Sequence, residues 1–249
     1  MATEKRVKAA DRTLDVFEAF DRVGRPLNLS ELAKAIEIPV SSCHGLLRTL
    51  TLRGYMTEVG TQRMHYPTRR LFDLARRIMA RDPILMKVSP ILEVLRKKTG
   101  ETIVFGKRLD KFVIYLDVLE SEKTIRFSAE VSSLRSLHSS ALGKALLGAM
   151  PEPKRNEQIG QLDLTPVTRN TISNAKKLKC NITAGNDRGW HSTRGESVND
   201  VMAVALGVVL GGEAYAVAVA GPLARMEPME KQHAKTLKAA IAQMVAQAG

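Results

Sequence analysis

Only two cysteines, Cys43 and Cys180, occur in 249 residues. That count excludes a disulfide-stapled secreted scaffold and is too small for a common structural zinc site, so a reducing, cytoplasmic setting is expected. The five histidines, His44, His65, His138, His191 and His233, show no metal-ligand spacing, and neither a metal nor a cofactor is expected. No Gly-x-Ser-x-Gly elbow and no phosphate-binding loop is present. Ser173 and Lys176 have Ser-x-x-Lys spacing without its companion motifs, and Ser173 reads more naturally as a helix cap. His138 beside Ser139 and Ser140 is equally ambiguous. With no nucleophile, base and oxyanion donor converging, the chain is not expected to be an enzyme.

The first residues, MATEKRVKAADRTL, are mostly polar and hold no apolar core, so no export signal is expected. One stretch, Val201 to Gly221, carries a single charge, Glu213, and reaches the roughly 20 residues a spanning helix needs. Gly211-Gly212 interrupts it, and two Val- and Ala-rich runs joined by a Gly-Gly turn predict a buried β-hairpin instead. No membrane association is expected.

Negative charge is scarce in one segment. The chain has 38 Lys and Arg against 26 Asp and Glu, a net charge of +12, which suits a polyanionic partner. Residues 1–39 are balanced, seven basic against seven acidic, whereas residues 40–81 hold Arg48, Arg53, Arg63, Arg69, Arg70, Arg76, Arg77 and Arg81 against only Glu58 and Asp73. All eight are arginine, whose planar fork suits phosphate and guanine better than an ammonium does.

The hydrophobic periodicity around that segment gives it a shape. Val16, Phe17, Phe20 and Val23 define a helix from about Ala10, stopped by Gly24 and Pro26. Ser30 is expected to cap a short second helix containing Leu32, Ala33 and Ile36, and Ser41 or Ser42 a third. In the third helix Cys43, Leu46, Leu47 and Leu50 share a core face, which leaves Ser41, Gly45 and Arg48 opposite, with Ser42, His44 and Thr49 on the flanks. Small residues let a helix backbone approach a major groove, and the hydroxyls, imidazole and guanidinium can then reach base edges. YMTEVGTQRMHYP predicts two strands around Gly60-Thr61-Gln62, a wing with Arg63 beside its tip. A fourth helix, about Arg69 to Ala80, is expected to bury Leu71, Leu74, Ala75 and Ile78 and to point Arg69 and Arg76 outward, to touch phosphate or nothing rather than bases. The spacing specifies a winged helix-turn-helix. Candidate DNA contacts are Ser41, Ser42, His44, Arg48, Thr49, Arg53, Arg63 and Arg69.

Two domains are expected from the length, since domains cluster near about 100 to 150 residues. The boundary is placed at Asp82-Pro83, giving residues 1–81 and 82–249. A helix with Ile84, Leu85, Val88, Ile91, Leu92 and Leu95 runs to Gly100, and its wide apolar face fits packing within the domain or against a second chain. Strands are expected at 102–106, 112–118 and 123–128, helices at 140–149, 152–160 and 173–188, strands at 189–193, 202–210 and 214–220, and a last helix from Pro228. That order describes an α+β domain with a pocket between sheet and helices. Within LRSLHSSALGKALLGAM, Ser139 or Ser140 caps a helix whose first N–H groups can receive a carboxylate or phosphate, or simply start a packed helix.

AADRTLDVFEAF, LNLSELAKAIEIPVSSCHGLLRTLTLRGYM, LHSSALGKALL, RGW and the terminal VAVAGP occur in an order and at a spacing that resemble the IclR family of bacterial transcriptional regulators over nearly the whole chain. The resemblance implies an N-terminal winged helix-turn-helix, a linker helix and a C-terminal domain similar to GAF-type ligand sensors. It implies dimers or dimers of dimers on a roughly palindromic double-stranded operator, controlled by a small-molecule effector. It puts Ser41, Ser42, His44 and Arg48 on the recognition helix and Arg63 on the wing, with Gly45 where most relatives carry arginine. It implicates Ala141, Leu142, Glu196, Val201, Ala203, Ala218 and Ala220 in the effector pocket. Some acid-sensing relatives have serines where this chain has Ala218 and Ala220, and often a cysteine at Ala203. Fewer hydrogen-bonding groups favour a carboxylate with an apolar body over a short hydroxy or keto acid. A DNA-binding architectural protein whose second domain only oligomerises is the alternative reading, and an enzyme on a GAF-like fold a third.

Overall fold

The computed structural model describes residues 7–60 and 63–248, and its chain divides into two units, Met1–Asp82 and Pro83–Gly249. In the first, α1 (Lys8–Val23), α2 (Leu29–Ala35), α3 (Val40–Leu52), the hairpin β1 (Met56–Val59) and β2 (Met64–Pro67), and α4 (Arg69–Met79) follow in order. Val16, Phe20, Leu32, Cys43, Leu47, Leu50 and Met56 form one buried core. Gly24 ends α1 with φ 69°, a left-handed conformation that glycine adopts without strain.

Three local expectations fail for physical reasons. Asn28, not Ser30, caps α2. Its side chain accepts from Glu31 N at 2.9 Å while Glu31 accepts from Asn28 N at 2.9 Å, a reciprocal box that satisfies two end groups together. Neither Ser41 nor Ser42 caps α3, which starts at Val40 with Pro39 in the cap position and no side-chain bond. In α4 Ala75 and Ile78 are exposed, Ile78 at 61%, and only Leu71 and Leu74 are half-buried. Of the expected wing tip, Thr61 and Gln62 lie outside the described residues.

The second unit opens with α5 (Pro83–Thr99), β3 (Thr102–Leu109), β4 (Phe112–Leu119) and β5 (Leu134–Ser136). It continues through α6 (Ala141–Gly148), α7 (Glu152–Gly160), α8 (Ala175–Arg188), β6 (His191–Arg194), β7 (Val201–Leu210), β8 (Glu213–Pro222), α9 (Leu223–Met226) and α10 (Glu230–Ala248). The strands make one antiparallel sheet in the order β5-β4-β3-β8-β7-β6. The apolar run Val201 to Gly221 is its central hairpin, turned by Gly211 and Gly212 at φ 56° and 82°, the two positive values a two-residue type I′ turn demands. No described helix is long and apolar enough to cross a membrane.

The 123–128 segment is not a strand. Its alternate carbonyls are taken by side chains: Thr102 Oγ1 donates to Phe127 O at 2.5 Å, Arg225 to Ile125 O at 2.9 Å and Arg126 to Lys123 O at 3.3 Å. The third meander strand is β5, paired with β4. Asn174 rather than Ser173 caps α8, and α9 is a short helix that apolar periodicity does not reveal.

Side chains alternate across the sheet by size. Tyr215, Val217 and Val219, with Met202, Val204, Ile103 and Phe105, pack with Leu92 and Leu95 of α5 and Leu237 of α10. Ala216, Ala218 and Ala205 pack on the other face with Leu142, Leu146 and Ile182 of α6 and α8. The alanine face lets α6 come close. At Gly143 the fit is closer still, since an added Cβ would lie 2.2 Å from Leu137 O.

His191 is wedged between helices, its ring against Gly148 of α6 and Gly185 of α8, and it is only 6% exposed. Burial, with the nearby cations Arg188, Lys144 and Arg155, lowers its pKa to about 4. Below the ordinary value near 6.5 the unfolded chain takes up a proton that the folded one refuses, so stability falls as the pH falls. Between pH 7.5 and 5.5 this one group should cost about 1.3 kcal/mol. Urea unfolding of the wild type and His191→Asn at both pH values checks this: the variant should lose less stability on acidification, and an equal loss in both would mean the native ring already protonates freely.

Candidate nucleic-acid interface and ligand cavity

α3 turns one face inward and one outward. Cys43, Leu47 and Leu50 are buried, whereas Ser41, His44, Gly45, Arg48 and Thr49 are exposed and Ser42 is half-buried. Thr49 is partly committed, because its hydroxyl donates to Gly45 O at 2.9 Å. At the other end the uncapped first turn leaves N–H groups that side chains do not satisfy.

The wing is seated by two bonds. Leu27 N donates to His65 O at 3.1 Å and His65 N to Leu27 O at 2.7 Å, which ties β2 to the entry of α2. Between wing and helices lies a groove of about 530 Å³. His44 and Arg48 from α3 and Arg63 from the wing line it together, with Asn28, Ser30, Thr51, Glu58 and His65. Arg63 holds φ 51°. Periodicity places His44 and Arg48; the contribution of the α2 entry depends on the Leu27 bridge, which leaves no sequence signal. Glu58 adds a carboxylate to an otherwise cationic wall, a group that can accept from cytosine N4.

The remaining candidates stand outside the groove. Arg53 is the C-cap residue just past α3, its guanidinium 5.8 Å from the Tyr55 ring centroid. Arg69 lies 3.8 Å from Asp73, which Arg76 also approaches at 3.8 Å.

In the second unit Ala141, Leu142, Val201, Ala203, Ala218 and Ala220 meet around one cavity, closed further by Val104, Tyr115, Phe127, Ser140, Thr193, Ser197 and Val198. Its volume is about 30 Å³, near the share of one water molecule and far below the roughly 300 to 1,000 Å³ of ordinary ligand sites. Ser140 caps α6: its hydroxyl accepts from Gly143 N at 3.1 Å and donates to Ser136 O at 2.9 Å. The ladder of pairs Ala203↔Ala220 and Ala205↔Ala218 supplies the apolar floor.

Glu196 sits beside this cavity rather than on its wall. Its carboxylate receives Lys144 Nζ at 2.8 and 2.7 Å, and the Lys144 side chain is fully buried. Burial holds the lysine below its ordinary pKa and the glutamic acid above its own, each opposed by the other's charge. Thr171 Oγ1 donates to Glu196 O at 2.7 Å and Thr168 Oγ1 to Gly195 O at 2.6 Å. The Lys144 pair fixes the β6–β7 loop, which carries Ser197 and Val198, against α6, and the two threonines tie it to the connection between α7 and α8. Lys144 was not singled out in the sequence because a lysine in GKA looks like surface charge.

His138 Nε2 lies 3.3 Å from Thr165 O, and Ser173 is exposed. Among the described residues no group of three or more His, Cys, Asp or Glu is placed to hold a metal ion.

Residues 77–247 match the family model described as bacterial transcriptional regulator IclR C-terminal, and residues 9–60 match the IclR helix-turn-helix domain. The chain is 28% identical over 220 residues to the probable transcriptional regulator SauR of Cupriavidus necator, covering 88% of this chain and 87% of that protein. It is 29% identical over 224 residues to the HTH-type transcriptional regulator BhcR of Paracoccus denitrificans, covering 88% and 79%. Among solved structures, Thermotoga maritima IclR superposes with a TM-score of 0.76 at 23% identity, over 96% of this chain and 99% of that one. An IclR homolog from Microbacterium hydrocarbonoxydans, complexed with 4-hydroxybenzoate, gives 0.78 at 19% identity over 95% and 97%.

Proposed function

The chain belongs to the IclR family of bacterial transcriptional regulators, DNA-binding proteins rather than enzymes, and we propose that it reads a roughly palindromic operator as a homodimer or dimer of dimers in the cytoplasm. Residues 1–81 act as the DNA-binding head and residues 82–249 as the effector-binding and oligomerisation domain. The observation that carries this reading is the groove in which His44, Arg48 and Arg63 converge. Ser41, Ser42 and Thr49 extend the recognition face, while Arg53 and Arg69 serve the phosphate backbone.

The effector is a carboxylate with an apolar body. Four alanines, Ala141, Ala203, Ala218 and Ala220, with Leu142 and Val201, supply apolar walls, and the α6 N-terminus favours a negative group. The relative from Microbacterium hydrocarbonoxydans holds 4-hydroxybenzoate, a molecule of that description. Because the cavity is nearly closed, entry requires Ser197 and Val198 or the Phe127 segment to move, and Glu196 acts by holding that wall through Lys144. Movement of the wall is the means by which ligand binding would alter the DNA heads.

Arg48→Ala should weaken operator binding by about 1 to 3 kcal/mol and relax the preference at one base pair. Binding to a set of single-position operator variants measures this, and a uniform loss across all of them would make Arg48 a phosphate contact. For the effector, a panel of aromatic monocarboxylates should contain a member that raises the protein's thermal stability, by about 2.7 kcal/mol at a hundred times its Kd. Its methyl ester should not. A ligand that stabilises equally as acid and ester would contradict the carboxylate, and DNA binding that no stabilising ligand alters would favour the architectural reading.

A further inference from the structure

Two arginines, one just past α3 and one in α4, approach the same ring. The Arg53 guanidinium carbon is 5.8 Å and that of Arg70 5.3 Å from the centroid of Tyr55. Neither has a carboxylate partner among the described residues, whereas Arg69 and Arg76 share Asp73 and Arg25 pairs with Glu31 at 2.9 Å. A ring face attracts a cation but does not neutralise it. Two guanidiniums without a carboxylate partner, gathered around one tyrosine ring, leave a local positive charge that an anion can balance.

The backbone that carries them is tied down. Tyr55 N donates to Leu50 O at 2.9 Å and Thr68 N to Tyr55 O at 2.9 Å, while Thr68 Oγ1 donates to Gly54 O at 2.5 Å. These bonds lash the end of α3 to the start of α4. Arg70 then runs over Gly54, where an added Cβ would come within 3.6 Å of its Cδ. The first turn of α4 holds Arg69 and Arg70 and no acid, so the positive end of the helix adds to the same unbalanced charge.

We propose that Arg53 and Arg70, stacked on Tyr55, form a preorganised site for a DNA backbone phosphodiester, separate from the groove that carries His44, Arg48 and Arg63. The proposal rests on the DNA-binding reading, in which Arg53 already serves the backbone, and adds to it Arg70 and the Tyr55 ring as parts of one phosphate site. Each planar guanidinium can give a phosphate two parallel N–H donors. The ring contact restrains each fork beforehand, so less side-chain freedom is lost on binding.

The test is fluorescence anisotropy of the full-length protein on its own upstream DNA and on a random duplex, at 50 and 200 mM salt. Each phosphate neutralised contributes about 0.9 to the slope of log K against log salt. Arg70→Gln should therefore shrink the wild-type drop in affinity between the two salts about 3.5-fold, and the Arg53→Gln, Arg70→Gln double variant roughly 12-fold. The change should be the same on both duplexes. Arg69→Gln, whose arginine already has Asp73, should shrink the drop less than Arg70→Gln. Tyr55→Leu should weaken binding at either salt while keeping the wild-type salt ratio, because both charges remain. A wild-type salt ratio in Arg70→Gln would overturn the proposal, and so would a loss confined to the upstream DNA, which would mean base contact. A wild-type protein that binds neither duplex would remove the DNA-binding reading, and this site with it. Circular dichroism melts of the exposed Arg70→Gln variant separate lost binding from lost folding.

Discussion

The six-stranded sheet sorts its side chains by size, and the arrangement of the second unit follows from that sorting. Strand residues alternate between faces, so in β8 the run from Tyr215 to Ala220 sends Tyr, Val and Val to one side and three alanines to the other. The bulky side takes the wide apolar faces of α5 and α10. The alanine side admits α6 closely enough that Gly143 meets the Leu137 backbone, and this brings the capped start of α6 to the edge of the cavity. A one-residue slip in β7–β8 would exchange the two faces and remove cavity and helix seat together.

The Lys144–Glu196 pair belongs to the same constraint. A lysine on the close-packed side of α6 cannot reach water, so it must find its counter-charge inside, and the β6–β7 loop supplies it. Removing one partner of such a pair leaves an uncompensated buried charge and typically costs about 3 to 5 kcal/mol. The loop that closes the cavity is therefore held by a strong but localised bond, while the walls it presses against are apolar and small. The proposed effector site would open by movement of that loop.

Much of this was legible from spacing. The α3 phase, with Cys43 and Leu47 inward and His44 and Arg48 outward, followed from 100° per residue, and the Gly211-Gly212 hairpin from two apolar runs and a turn. What escaped depended on groups distant in sequence or on competition between good options. Asn28 and Ser30 are both capping residues, and the choice fell to Asn28 because Glu31 stands three positions on. KTIRFS has strand composition, yet Thr102 and Arg225 claim its carbonyls. The close pairing of Lys144 with Glu196, 52 residues apart, has no local trace, nor does the meeting of Arg53 and Arg70 on Tyr55.

The central claim is that the exposed face of α3 and the wing read base sequence. The most direct measurement is the affinity of the purified full-length protein for its own upstream DNA against a random duplex, at one fixed salt concentration. A site-specific regulator should prefer the native fragment by about a thousandfold or more. Equal affinity for the two, with the upstream fragment tiled through the whole intergenic region, would contradict base readout and leave only backbone binding.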